Sequence, residues 1–125
     1  METIALDATT HTPLVEFQPE GKLKMEGRSF PEDVCKFFDP LISFVSDIEI
    51  ESVILDVNLE YFNTASSKKL MDLFKHLDAN NHVQHILINW HYEEGDDDSV
   101  ETAEIFEESL FRSEFRYLEI EDTTL

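Results

Sequence analysis

The sequence has little cysteine, glycine, proline or positive charge, and these shortages close off classes of function. Cys35 is the single cysteine in 125 residues, so no internal disulfide framework exists and a reducing compartment fits. Gly21, Gly27 and Gly95 are the only glycines and fit no phosphate-cradling loop. Nine Lys and Arg stand against 28 Asp and Glu, a net charge of −19. Affinity for nucleic acid and for anionic headgroups comes chiefly from cationic side chains, so neither is an expected partner. No run approaches the ~20 uncharged apolar residues of a membrane span. Met1 to Thr10 lacks the basic-then-apolar order of a signal peptide. The expectation is a cytoplasmic protein.

What is present suffices for a core. Hydrophobic residues make up 42% of the chain, with ten Phe, too much large apolar side chain for a disordered tail. The length predicts one domain over residues 1–125, with 1–11 as a loosely held terminus. Acidity is uneven: residues 1–90 carry 15 acids against 7 Lys/Arg, and residues 91–125 carry 13 against 2. A basic protein partner suits such a surface, because opposite potentials steer encounter. Lys68, Lys69 and Lys75 form the one local basic group and read as a solvated helix face.

Leu14, Val15 and Phe17, then Leu23 and Met25 alternating with Lys22, Lys24 and Glu26, flank Gln18-Pro19-Glu20-Gly21 and predict a β-hairpin. Ser29-Phe30-Pro31-Glu32 reads as a capping box with proline in the first turn. It opens a helix through Val34, Phe37, Phe38, Leu41, Ile42 and Val45. Pro40 removes a helical hydrogen bond there and is expected to kink or break it. Val53 to Leu59 is apolar and β-branched enough for a central strand. Leu70, Leu73, Phe74 and Leu77 mark a second helix beginning near Asn63 or Thr64, and His82 to Trp90 a further strand. Val100, Ala103, Phe106 and Leu110 mark a third helix, with Asp98 or Ser99 as its cap, and Phe115 to Ile120 a last strand. The order β-β-α-β-α-β-α-β predicts an α/β fold: a mixed sheet with parallel βαβ units, an antiparallel N-terminal hairpin and helices packed on it.

Little in the chain resembles an enzyme. His11, His76, His82, His85 and His91 form no paired metal motif, so no metal or other cofactor is expected. Cys35 lies beside a Phe-rich helix face and reads as a buried, inert thiol. Asp96-Asp97-Asp98 lacks the alternating acids of a calcium loop and reads as helix-start acids. Asp56 sits in an apolar strand without an acid or base partner, which is not a mechanism.

One segment stands apart. Leu55 to Phe62 leads through Asn63-Thr64-Ala65-Ser66-Ser67 into the amphipathic helix of Leu70, Leu73 and Phe74. Asn63 or Thr64 as helix cap accounts for these residues. The same geometry also suits a phosphate, since a helix N-terminus offers free N–H donors and partial positive charge.

The strand–helix junction resembles that of STAS domains, the fold of bacterial anti-sigma-factor antagonists, although Asn63-Thr64-Ala65-Ser66-Ser67 replaces their D-S/T-S/T-G-like turn and lacks its glycine. A closer resemblance is to the SiaC family of bacterial phosphoregulators. It is carried by Gly21-Lys22-Leu23-Lys24-Met25-Glu26-Gly27, Ser29-Phe30-Pro31-Glu32, Leu55-Asp56-Val57 through Tyr61-Phe62-Asn63-Thr64, Lys68, Met71-Asp72 and Trp90-His91-Tyr92. That resemblance implies a non-catalytic, STAS-like partner switch. A Ser/Thr kinase would phosphorylate Thr64, with Ser66 and Ser67 as secondary acceptors, and a metal-dependent Ser/Thr phosphatase would reverse it. The unphosphorylated form would bind and activate a diguanylate cyclase, raising cyclic di-GMP and favouring biofilm. Glu60, Tyr61, Asn63, Thr64 and Lys68 would form the partner-binding surface. The alternatives are an anti-sigma-antagonist switch using the same site, or a scaffolding domain.

Overall fold

The computed structural model describes residues 1–121. The last four residues of the expected domain, 122–125, lie outside the described residues. Strands β1 (Ile4–Leu6), β2 (Leu14–Phe17) and β3 (Lys22–Ser29) come first, followed by α1 (Val34–Asp47), β4 (Ser52–Phe62), α2 (Thr64–Asp78), β5 (His85–Glu93), α3 (Asp97–Glu108) and β6 (Glu114–Ile120). They form one mixed sheet in chain order, β1-β2-β3-β4-β5-β6, with STAS-like topology. The first two pairings are antiparallel and the last three parallel.

The hairpin turn is where the spacing places it. Gln18 N donates to Lys22 O at 3.0 Å, and Gly21 occupies φ 101°. A Cβ at Gly21 would come within 2.2 Å of the Ser52 carbonyl oxygen, so the start of β4 demands glycine there.

From β3 onward each parallel strand is added on the same side of the last. Right-handed crossovers therefore put α1, α2 and α3 on one face. Phe38, Leu41, Phe44 and Val45 of α1, Leu70, Leu73, Phe74 and Leu77 of α2, and Ala103 and Phe106 of α3 are buried against Val53, Leu55, Val57, Ile88 and Trp90 of the sheet. Lys24, Ile54, Asp56, Asn89 and Arg116 alternate with these inward residues and line the uncovered face.

Several local expectations are corrected. The loosely held terminus contains β1, which pairs with the free edge of β2 (Ile4 with Phe17, Leu6 with Val15). The capping box is not used: Asp33 caps α1, its carboxylate accepting from Lys36 N at 3.0 Å, while Ser29 closes β3. Helix α1 runs through Pro40 unbroken. Pro40 lies on the exposed side of the helix, and the buried Phe38, Leu41 and Phe44 around it hold the helix. Strand β5 begins at His85, three residues later than the apolar pattern reads, because Asn80 holds a turn through its bonds from Val83 N and His82 N. Helix α3 is capped by Asp96, which accepts from Ser99 N at 3.1 Å; Ser99 instead takes the Trp90 indole N–H at 2.9 Å. Leu110 falls beyond that helix, half-buried.

Candidate functional site

Strands β3 and β4 end together, and α2 departs from that end. Opposite the step from Gly27 to Arg28 the register shifts, leaving Glu60 as an extra residue of β4. Strict alternation after Leu55, Val57 and Leu59 would send Tyr61 into the core. The bulge reverses the phase. Phe62 turns inward, edge-on to Trp90 at 5.7 Å, and Tyr61 turns out, 47% exposed. Tyr61 packs edge-on against Phe30 at 5.7 Å, and the Arg28 guanidinium lies 5.6 and 5.7 Å from the centres of the Phe30 and Tyr61 rings.

Asn63 then ends the strand with extended backbone and caps α2. Its side chain accepts from Ser66 N at 2.9 Å, its carbonyl from Ser67 N at 2.9 Å, and its own N–H donates to the Ser29 carbonyl at 3.1 Å. Ser66 Oγ donates to the same Ser29 carbonyl at 3.0 Å and lies 2.9 Å from Ser29 Oγ. The first turn of α2 is thus bound to the end of β3 through Asn63 and Ser66.

Thr64 is the first residue of α2 and is exposed. Asn63 holds the cap, so the Thr64 hydroxyl is not needed to satisfy the first turn. Ser66, expected as a secondary acceptor, is fully buried, with its hydroxyl committed to β3, and a kinase cannot reach it in this fold. Ser67 is half-buried. Of the expected surface, Glu60, Tyr61, Thr64 and Lys68 are exposed around the junction, whereas Asn63 is half-buried and serves as the cap. The three lysines do not share one solvated face: Lys69 Nζ reaches across to Asp39 of α1 at 2.8 Å, leaving Lys68 and Lys75 exposed.

The remaining candidates lie apart. Cys35 is exposed, not buried, because it sits one step around α1 from the Phe38–Leu41–Val45 face. Asp56 accepts from Asn89 Nδ2 at 3.0 Å and lies 3.2 Å from His91 Nε2, a half-exposed polar cluster on the uncovered sheet face. Glu26, Glu60, Glu93 and Asp96 line a cleft of about 240 Å³ at the carboxyl ends of β3 to β5. In open α/β sheets that edge commonly receives ligands, but its carboxylates here repel phosphates. Among the described residues no group of three His, Cys, Asp or Glu is arranged to hold a metal ion, and no helix is long and apolar enough to cross a membrane.

A family model described as SiaC family regulatory phosphoprotein matches residues 6–120. The chain belongs to the SiaC family. It is therefore a regulatory protein rather than an enzyme. It is 30% identical over 113 residues to an uncharacterised protein of Pseudomonas aeruginosa (strain UCBPP-PA14), covering 86% of this chain and 90% of that one. The crystal structure of apo-SiaC from Pseudomonas aeruginosa superposes with a TM-score of 0.74 at 30% identity, covering 94% of this chain and 99% of that chain. A chain from the crystal structure of the diguanylate cyclase SiaD in complex with its activator SiaC, from the same organism, gives 0.78 at 27% identity with the same coverage.

Sequence reasoning missed two features of the junction. The pattern Ser29-Phe30-Pro31-Glu32 reads Ser29 as a helix cap, and only the spatial meeting of β3 with α2 reveals its role. Arg28 and Phe30 join Tyr61 because the bulge turns that ring outward.

Proposed function

We propose that this chain is a phosphorylation-controlled switch, one regulatory domain acting in the cytoplasm, whose unphosphorylated form binds and activates a diguanylate cyclase. Through that enzyme it raises cyclic di-GMP output and promotes biofilm formation. Thr64 is the acceptor for a Ser/Thr kinase, and a metal-dependent Ser/Thr phosphatase returns the chain to its active form. Ser67, one turn further on, is the secondary acceptor.

One observation carries this reading: Thr64 is exposed on the first turn of α2 while Asn63 holds the cap. A phosphate there meets helix N–H groups and the positive end of the macrodipole, so the fold accommodates it. It adds about −1.5 to −2 charge beside the exposed Glu60. On a chain already at −19 added negative charge would not by itself turn away a basic partner, so the phosphate acts by its bulk, excluding a surface that docks over the free Thr64 hydroxyl.

The test is cyclase output in a reconstituted mixture. With kinase and ATP present, the unaltered chain is expected to stop stimulating cyclic di-GMP synthesis, and Thr64→Ala to continue. Stimulation of the cyclase by neither form, or silencing of both by the kinase, contradicts the reading.

A further inference from the structure

The face of the sheet that the helices leave open is charged unlike the rest of the chain. Lys22, Lys24, Arg28 and Arg116 stand on it, four of the nine cationic side chains. They meet Glu16, Glu26, Asp56, Glu93 and Glu114, so this face carries −1 while the whole chain carries −19. Of the eight large apolar side chains exposed among the described residues, Ile54, Tyr61, Leu118 and Ile120 lie here, with Ile54 at 43%.

Strand register sets which side chains meet when two such faces pack together. Successive rows across β3 and β4 pair Lys22 with Ile54, Lys24 with Asp56 and Glu26 with Asn58. The middle row extends to Glu16 on β2 and Asn89 on β5. A two-fold axis along the strands between β3 and β4, the middle of the six-stranded sheet, reverses each row. Lys24 then faces Asp56 of the second copy, Lys22 faces Ile54, Glu26 faces Asn58 and Glu16 faces Asn89. No like charges oppose one another in these rows. Asp56 is already fixed in place by Asn89 Nδ2 at 3.0 Å and His91 Nε2 at 3.2 Å. Lys24 keeps its bond to Glu26 at 3.2 Å and has ammonium donors to spare for a second carboxylate. A depression of about 330 Å³ beside the axis, between Lys22, Lys24, Ile54 and Asp56, admits the Ile54 side chain of the second copy.

We infer that the uncovered sheet face binds a second copy of this chain, sheet to sheet, in a two-fold dimer with the helices on both outer surfaces. A basic partner is drawn to the strongly acidic remainder of the molecule, whereas a near-neutral face of alternating sign is complementary to itself. Five strands about 4.8 Å apart and about 3.3 Å per residue along the seven residues of β6 span roughly 550 Å². Two copies together cover about 1,100 Å², just above the ~1,000 Å² that a specific interface needs. The dimer leaves both helix layers and both Thr64 side chains exposed, so it stands independently of the switch and makes the chain bivalent.

The experiment is sedimentation equilibrium of the full chain and its variants, each first shown to be folded by a melting curve. The unaltered chain is expected to dimerise reversibly in the micromolar to submillimolar range. Lys24→Glu, which opposes two carboxylates across the axis, and Ile54→Lys, which opposes two ammonium groups, are each expected to weaken the dimer at least tenfold. Asp56→Lys is expected to do the same, and joining it to Lys24→Glu to restore the dimer, a rescue that general damage to the sheet would not give. Ile105→Lys, on the helix side, is expected to dimerise like the unaltered chain. A chain that stays monomeric throughout overturns the inference. So does a dimer untouched by the single charge reversals, one that Ile105→Lys dissociates, or a double reversal no better than either single one.

Discussion

The hydroxyl oxygens of Ser29 and Ser66 lie 2.9 Å apart, fully buried, joining the last residue of β3 to the first turn of α2. Asn63 adds a second tie, donating its N–H to the Ser29 carbonyl at 3.1 Å. Thr64 lies between Asn63 and Ser66 in the chain. Its hydroxyl is therefore exposed on backbone held on both sides, which fixes where any added charge would stand.

Ser66→Ala removes the hydroxyl from this junction, but the Ser29 carbonyl keeps its bond from Asn63. The expected loss is roughly 0.5–1.5 kcal/mol, the net worth of a buried hydrogen bond, read from urea unfolding. Phosphopeptide mapping after kinase treatment should find phosphate on Thr64 and none on Ser66. Phosphate on Ser66 in the folded chain would mean that this junction opens.

Asn63 and Thr64 should separate cleanly by stability. Asn63→Ala takes away the cap of α2 and is expected to cost about 1 kcal/mol. Thr64→Ala should stay within about 0.5 kcal/mol, as for exposed positions without such a role. Comparable losses at the two positions would return Thr64 to a capping role and weaken its assignment as a free acceptor.

Much of the fold was legible. The 3.6-residue spacing of Leu70, Leu73, Phe74 and Leu77 and the apolar run Val53 to Leu59 are local patterns, and local patterns survive folding. The misreadings are all cases where tertiary contact decides. Ile4 to Leu6 is three residues long, and only the free edge of β2 makes a strand of it. Ser29 and Ser66 look like surface residues until β3 and α2 meet. Pro40 looks like a breaker unless its exposure to water is known. The bulge at Glu60 that turns Tyr61 outward has no signature in the residues themselves. Thr64 was found through resemblance. The residues alone favour a cap at Asn63 or Thr64 over an acceptor, and the structure gives that cap to Asn63.

Acid should weaken the far end of the molecule first. Burial alone would raise the Asp78 carboxyl, but bonds from Phe111 N, Ser113 Oγ, Arg112 N and Ser113 N outweigh it and hold the group below its ordinary value of 3.8. A depressed folded value means the stabilisation is complete at neutral pH and is lost as pH falls through the region below 3.8. Asp78→Ala is expected to cost roughly 1.5–3 kcal/mol at pH 7 and to flatten the stability profile in acid. Parallel acid profiles for the variant and the unaltered chain would show that Asp78 is not the group responsible.

The most direct measurement is the affinity of the cyclase for the chain in its two forms, both confirmed folded by melting curves. Enzymatically phosphorylated and unphosphorylated chain are titrated calorimetrically against the same cyclase preparation. Phosphate on Thr64 is predicted to weaken binding at least tenfold, about 1.4 kcal/mol, and treatment with the phosphatase to restore it. Equal affinities for the two folded forms would contradict the account and leave Thr64 as an exposed first-turn residue with no part in the switch.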